Sequence, residues 1–364
     1  MAREQRVVVT GATGNVGLRV VEVLAGDADV SQVVGLARRP PAIGPAGVRW
    51  VSMDLTPRPP GTPGPDPLDA VLAGADALVH LAWLIQPSRD PGRLWEVNAA
   101  GTARLLAAAS RAGVRTIVHA SSVGTYAPAP LGTVVDEGWP THGIATSPYS
   151  LGKAYCERLL DAYEAGHPEV RVVRLRPSLV VQRRSAAHVR RLFAGALVPD
   201  AAFGAVRRLP VLPDVPGLTV QLAHAEDVAD AFRAAVVRDV RGPFNLAAPP
   251  ALSVPDIAAL LGARTVPVPP RLVRALVRAG WTARVLPVDV GWFDLALRTP
   301  QMRTDRAAAE LGWAPRWDAS EAVVDVLEGL AQGAGDRTPP LEGDADRSRV
   351  TELVTARQGG GEVR

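Results

Sequence analysis

Arg6-Val7-Val8-Val9-Thr10-Gly11-Ala12-Thr13-Gly14-Asn15-Val16-Gly17 is the stretch whose reading decides the fold. Residues 6–10 form the short apolar run expected of a buried strand. The glycine turn follows at once and leads into the apolar-periodic segment Leu18 to Ala25, so the order is strand, glycine turn, helix. Gly11 suits the tight turn, Gly14 lets the backbone approach a pyrophosphate, and Gly17 allows the helix to pack closely on the strand. The helix start, with Thr13, Asn15 and Val16 around Gly14, then offers free N–H groups to phosphates. A purely structural turn is the alternative reading, and the position at the first strand–helix junction favours the dinucleotide.

Outward from this unit, apolar runs at Asp76 to Ala82, Arg115 to Ala120 and Val170 to Leu175 alternate with helical stretches at Gly92 to Ala112 and Pro148 to Ala165. That rhythm predicts an α/β chain with a doubly wound parallel sheet of Rossmann type and a smaller C-terminal substrate lobe. The expected division is a dinucleotide-binding domain over 1–180, rejoined by 218–248, a substrate lobe from 181–217 and 249–333, and a mobile tail over 334–364. Residues 57–65, dense in proline and glycine, are expected to be a surface loop.

The chain has one lysine among its 40 basic residues, Lys153, and it follows Tyr149 by four positions. Residues at i and i+4 share one helix face, so the ammonium can approach the phenol. A nearby cation lowers a phenol from its ordinary value near ~10, which would let Tyr149 exchange a proton with a hydroxyl or carbonyl. Arginine, with its forked and diffuse charge, suits this role poorly.

Gly-x-x-Gly-x-x-Gly after Thr10, with Tyr149 and Lys153 downstream, resembles the extended short-chain dehydrogenase/reductase family, which includes the NAD-dependent epimerases and dehydratases. The resemblance covers about residues 5–330 and extends to several further segments. Asp54-Leu55 is similar to the family's adenine contact. His80-Leu81-Ala82-Trp83 resembles the apolar loop beside the cofactor, and Val97-Asn98-Ala99-Ala100-Gly101-Thr102 the family's helix signature. His119-Ala120-Ser121-Ser122, Arg176-Pro177 and His224-Ala225-Glu226-Asp227-Val228-Ala229 match as well. The resemblance implies hydride transfer with Tyr149 as acid/base, Lys153 lowering its pKa and holding the nicotinamide ribose, and Ser122 bonding the substrate oxygen. Gly11, Thr13, Gly14, Asn15, Val16, Gly17, Arg38, Asp54, Leu55, Leu81, Ala82, Asn98, Lys153 and Pro177 become the candidate cofactor residues. Ser121 is read as a backbone-satisfying serine, and Asn98 suits either an ordering role near the nicotinamide or a structural one.

The second strand ends in Ala37-Arg38-Arg39 with no acid to hold a ribose diol, so NADP is favoured over NAD. Ser122-Val123-Gly124-Thr125-Tyr126 lacks the Thr-Asp-Glu of the family's dehydratases. Leu218 to His224 lacks the arginine that sugar-nucleotide enzymes place there, and Val180-Val181-Gln182-Arg183-Arg184 replaces their Tyr-Gly-Pro. The pairs Arg183/Arg184, Arg190/Arg191 and Arg207/Arg208 are expected on solvated faces, although an anionic substrate would suit them too. Trp83, Trp139, Trp281 and Trp292 are candidates for an apolar pocket or for core packing.

A near-balanced charge, 40 basic against 37 acidic residues, gives no reason to expect nucleic acid. The six histidines lack metal-ligand spacing, so no metal is expected, and the lone Cys156 suits a reducing cytoplasm. Residues 1–6 run straight into the first strand without an apolar segment, so neither a secretory signal nor a membrane span is expected. The partner is a small-molecule substrate. A homodimer through the Tyr149/Lys153 helix follows from the resemblance, though the same apolar face would serve internal packing. The leading reading is an NADP-preferring oxidoreductase acting on a carbonyl or hydroxyl of a small to medium organic substrate. The alternatives are a nucleotide-sugar epimerase with tightly held NAD and a non-catalytic dinucleotide-binding regulator.

Overall fold

The computed structural model describes residues 5–85, 88–193 and 210–342. Its strands are β1 Gln5–Thr10, β2 Val30–Ala37, β3 Val48–Ser52, β4 Ala77–His80, β5 Thr116–Ala120, β6 Val134–Val135, β7 Arg171–Pro177, β8 Leu179–Val181, β9 Val211–Asp214, β10 Thr219–His224, β11 Gly242–Leu246, β12 Ala248–Ser253, β13 Arg264–Pro267 and β14 Gln301–Met302. The helices are α1 Asn15–Ala25, α2 Pro67–Leu72, α3 Pro91–Trp95, α4 Gly101–Arg111, α5 Pro148–Gly166, α6 Ala186–Phe193, α7 Ala225–Val237, α8 Val254–Leu261, α9 Pro270–Thr282, α10 Val290–Arg298, α11 Asp305–Leu311 and α12 Ala319–Gln332.

Seven strands form one sheet in the order β11-β7-β5-β4-β1-β2-β3, and every neighbouring pair runs parallel. The apolar runs are continuous because both faces are covered. Val7, Val9, Val79 and Val118 face a core shared with Leu18, Leu24 and Phe232 on α1 and α7. Val8, Leu78 and Ile117 face Leu105 and Leu160 on α4 and α5. The sheet order turns back between β1 and β4, and the glycine turn after β1 lies beside the loop after β4 at that reversal, the usual place for a ligand in an open parallel sheet.

The expected domain division differs in part. β11 joins the large sheet, but β10 lies between β8 and β12 in a separate three-stranded sheet. α12 covers that small sheet with Ala319, Val323 and Val326. Ala307, Leu311 and Trp313, placed in the lobe by sequence, pack in the core of the large sheet, and the Trp313 indole donates to the Asp227 carbonyl at 2.7 Å. The expected mobile tail does not hold for 334–342. Leu341 is fully buried in the main core and Thr338 Oγ1 donates to the Thr13 carbonyl at 2.9 Å. Residues 343–364 lie outside the described residues. Residues 57–65 hold no regular structure, and Arg58 gathers the carbonyls of Pro63, Gly64 and Pro65. Among the described residues, no helix is long and apolar enough to cross a membrane.

Candidate functional site

Gly11 takes a left-handed φ of 68°, and a Cβ there would stand 2.6 Å from the Ala82 backbone nitrogen. A Cβ on Gly17 would drive into the Gly11 carbonyl. Gly14 differs, since its Cβ would meet only the Gly11 oxygen at 3.3 Å. It also caps α1 with no side-chain hydrogen bond. The helix start therefore keeps its N–H donors on an open cradle, which fits a dinucleotide pyrophosphate. Asn15 is held from outside the turn. Its Nδ2 donates to the Val180 carbonyl at 3.1 Å, and Gln182 Nε2 donates to its Oδ1 and carbonyl at 2.8 and 2.9 Å. Val16 packs against the main core.

The loop after β4 is fixed by a chain of buried hydrogen bonds. Leu81 and Ala82 N–H donate to Thr10 Oγ1, both at 3.2 Å, and Thr10 lies 2.7 Å from His80 Nδ1. His80 Nε2 lies 2.9 Å from Thr102 Oγ1, which donates to the Asn98 carbonyl. Burial, with the Lys153 charge adding to it, pushes His80 down to about 3. A neutral ring with its proton on Nε2 satisfies every member, a tautomer assigned from the network. The Asn98 amide takes up Leu84 through both atoms, at 2.7 and 3.0 Å. Asn98 thus shapes the loop, and it does so from the helical turn Glu96–Ala100 that joins α3 to α4, not from the helix start that the sequence suggested.

Ser122 lies two residues beyond β5 and accepts from the Gly124 N–H at 3.0 Å, and its hydroxyl and the Tyr149 ring both border Gly124. Tyr149 lies in the first turn of α5, where Ser147 caps the helix and Pro148 presets its entry. Ser150 then ties this turn to the serine segment, accepting from Ile144 N–H at 2.6 Å and donating to the Gly124 carbonyl. Lys153 Nζ donates to the Ala120 carbonyl at 2.7 Å and sits 3.7 Å from the centre of the Trp83 ring. Burial brings Lys153 down to about 7 against the pull of Cys156 and Glu157. The expectation that Lys153 lowers the phenol is corrected for the chain alone: burial raises Tyr149, opposed only by the Ser122 hydrogen bond. The ammonium faces a carbonyl and an indole instead.

The remaining predicted residues fall on other segments. Arg38 and Arg39 are exposed at the end of β2, and Asp54 is exposed beyond β3. Partial burial of Asp54 is outweighed by hydrogen bonds from Thr56, with Arg38 and Arg93 adding, so its carboxyl falls below the usual range. Leu55 is buried, with its carbonyl close to Gly101, and Pro177 ends β7. Ser121 does not satisfy backbone as the sequence suggested: its hydroxyl donates to the Glu157 carboxylate and lies 3.0 Å from Thr125 Oγ1. Sequence reading missed Glu157, whose buried carboxylate grips Arg176 at 2.8 and 2.6 Å, as well as Ser150 and Gln182. Their partners are remote in sequence, and only their polar character inside apolar segments marked them.

Arg183 pairs with Glu328 at 3.1 Å and Arg184 with Asp336 at 3.1 Å, away from the Tyr149 centre. Arg190 is buried. Arg207, Arg208 and the Arg191 side chain lie outside the described residues. Trp139 packs beside Tyr126, and Trp281 lies under Arg89. Trp83 and Trp292, by contrast, both reach Tyr149.

The model of the NAD dependent epimerase/dehydratase family matches residues 7–247. An uncharacterized protein of Mycobacterium tuberculosis is 26% identical over 338 residues, which is 92% of this chain and 31% of that protein. The chain thus spans about a third of that relative's length. The L-arabinose 1-dehydrogenase (NAD(P)(+)) of Haloferax volcanii is 34% identical over 117 residues, 32% of this chain and 41% of that enzyme. The structure of MoeE5 in complex with UDP-glucuronic acid and NAD aligns with a TM-score of 0.65 at 23% identity, covering 90% of this chain and 99% of that one, a likeness of fold. A family match that begins in β1 and runs through β11 takes in the glycine turn, Ser122, Tyr149 and Lys153, and the chain belongs to the NAD dependent epimerase/dehydratase family.

Proposed function

We propose that this protein is a nicotinamide-dinucleotide oxidoreductase that interconverts a carbonyl and an alcohol on a small to medium organic molecule. The observation that carries the reading is one continuous contact path: Gly11 abuts Ala82, Trp83 lies on Lys153, and Tyr149 sits with Ser122 one helical turn away. Gly11, Thr13, Gly14, Asn15, Val16 and Gly17 would hold the pyrophosphate, Asp54 and Leu55 the adenine, and Leu81, Ala82, Asn98, Lys153 and Pro177 the nicotinamide end. The bound dinucleotide supplies or takes the hydride. Ser122 orients the substrate oxygen and Tyr149 gives or takes its proton, while Lys153 holds the nicotinamide ribose. The Haloferax dehydrogenase supports a net redox reaction.

NADP is the proposed preferred form, because the end of β2 offers Arg38 and Arg39 and no acid. The NAD in the MoeE5 complex carries the opposite expectation. Titration of the purified protein with NADPH and NADH, followed by nicotinamide fluorescence, separates them. Saturable NADPH binding that Gly14→Val abolishes and Arg38→Ala weakens is the expected result. Tighter NADH binding overturns the NADP preference, and no binding of either overturns the proposal.

The UDP-glucuronic acid of the MoeE5 complex favours a second reading, a nucleotide-sugar epimerase that retains NAD. Against it, Gln221 occupies the strand where sugar-nucleotide enzymes place an arginine, and both ends of its amide are taken by Met302, at 3.1 and 2.7 Å. A cytoplasmic location accompanies the proposal, resting on the single buried thiol of Cys156. So does a homodimer through α5, which exposes Leu151 and Tyr155, the latter ring 4.4 Å from that of Trp95.

A further inference from the structure

The peptide that joins Thr13 to Gly14, in the middle of the glycine turn, is held on both sides. Its N–H donates to the Gly11 carbonyl at 3.0 Å inside the turn. Its carbonyl accepts from Thr338 Oγ1 at 2.9 Å, a buried bond between residues 325 apart in the chain. Because a peptide is planar, fixing its N–H and its C=O fixes the plane, and the N–H groups that open α1 inherit that orientation. Thr338 is 2% exposed and lies beyond residues 7–247, which the family model matches.

A second remote segment holds the residue after that peptide. Buried Gln182 donates to the Asn15 carbonyl and Oδ1, and its Oε1 accepts from Arg19 Nε at 2.9 Å, so the whole amide is committed to α1. Arg19 pairs with Glu22 at 2.9 Å. Arg184 then pairs with Glu22 at 3.5 Å and with Asp336 at 3.1 Å, and the Asp336 N–H donates to the Leu341 carbonyl at 2.6 Å. A ring of polar contacts therefore closes around the start of α1. Both of its outer anchors leave the small sheet: Gln182 follows β8, and residues 334–342 follow α12, whose Val323 and Val326 share a core with Val181. The Ala187 N–H donates to the Ala334 carbonyl at 3.1 Å, and Leu341 seats the far end of the segment in the main core.

We propose that Thr338 and Gln182 are positioning residues for the dinucleotide: from the small sheet, they hold the glycine turn in the conformation that presents the first N–H groups of α1 to the pyrophosphate. This rests on the dinucleotide reading above and names the parts of the chain that set the affinity of that site. Both residues act through the backbone of Thr13 and Asn15. A turn that is ordered before its ligand arrives loses no binding energy to ordering. Without the Thr338 hydroxyl, the Thr13 carbonyl is a buried acceptor with no partner, and tilting of the Thr13–Gly14 peptide relieves that cost while turning the α1 donors off line. The partly exposed ion pairs of the ring add little by themselves, so the two buried hydrogen-bonding side chains carry the effect.

The test titrates wild type, Thr338→Val, Thr338→Ser and Gln182→Leu with NADPH and NADH, followed by nicotinamide fluorescence, with urea unfolding of the dinucleotide-free proteins in parallel. Thr338→Val and Gln182→Leu are each expected to raise the Kd of the preferred dinucleotide by about fivefold or more, the effect of one lost buried hydrogen bond. Thr338→Ser keeps the donor and stays within about twofold of wild type. Folded variants that lose stability yet bind dinucleotide as tightly as wild type overturn the proposal, because the bonds then support the fold alone. Binding by Thr338→Ser as weak as that of Thr338→Val overturns it too. Should Thr338→Val or Gln182→Leu fail to fold, the other decides. A wild type that binds neither dinucleotide sinks the oxidoreductase reading itself and this proposal with it, whereas normal wild-type binding with unchanged variants sinks the positioning role alone.

Discussion

Lys153 holds a charge where the fold offers little water to solvate it. Its ammonium has the Ala120 carbonyl and the face of Trp83 as partners, and burial brings it down to about 7 from 10.5. A base lowered by folding binds fewer protons in the native than in the unfolded chain across that interval, so its contribution to stability rises with pH from about 7 to 10.5. Urea unfolding without dinucleotide is expected to show wild type gaining on Lys153→Met by up to about 1.4 kcal/mol per pH unit in that window. Parallel pH profiles would mean that the ammonium is not desolvated. An arginine could not shed its proton there, which gives a physical reason for the lone lysine. Tyr149 and Lys153 were legible because helical spacing is a local property, and Ser122 through the resemblance of its segment to the family. Ser150 and Gln182 were not, since their bonds reach 26 and 167 residues along the chain.

Among the elements, α10 shows how the lobe meets the chemistry. Its first turn rests on the start of α5, and Gly291 is the contact point against Thr146 and Ser147 backbone. A methyl group there can be accommodated only if α10 or the α5 cap moves. Gly291→Ala is expected to cost about 1–3 kcal/mol in urea unfolding and to lower carbonyl turnover by withdrawing Trp292. Unchanged stability and turnover would show that the two helix starts are not locked. The sequence named Trp292 as a pocket candidate alongside Trp139 and Trp281 but could not separate them, because an indole buried against core and one beside a tyrosine have the same local pattern. The pairing of β10 with β8 and β12 was hidden for a related reason. A short apolar strand states its face but not its neighbours.

At the scale of the molecule, the doubly wound parallel sheet consists of strands buried on both faces and joined by covering helices. This part of the fold was legible from the alternation of apolar runs and helices. The fate of 334–342 was not. The segment is poor in apolar residues, yet one fully buried leucine, Leu341, and the Thr338 bond to Thr13 seat it against the glycine turn. Composition averages over such a segment and misses a pair of anchors. The fold thus brings turn, loop, Ser122, Tyr149 and Lys153 together from widely separated stretches, and the account holds that Tyr149 is the proton donor of a carbonyl reduction there. The most direct measurement is the rate of reduced-dinucleotide oxidation against a panel of aryl, alkyl and dicarbonyl substrates, for wild type and Tyr149→Phe, with dinucleotide affinity measured in parallel. The account expects turnover by wild type and a fall of roughly 100-fold or more in Tyr149→Phe at unchanged dinucleotide affinity. A Tyr149→Phe enzyme as fast as wild type, or a wild type that binds dinucleotide and reduces nothing in the panel, would contradict it.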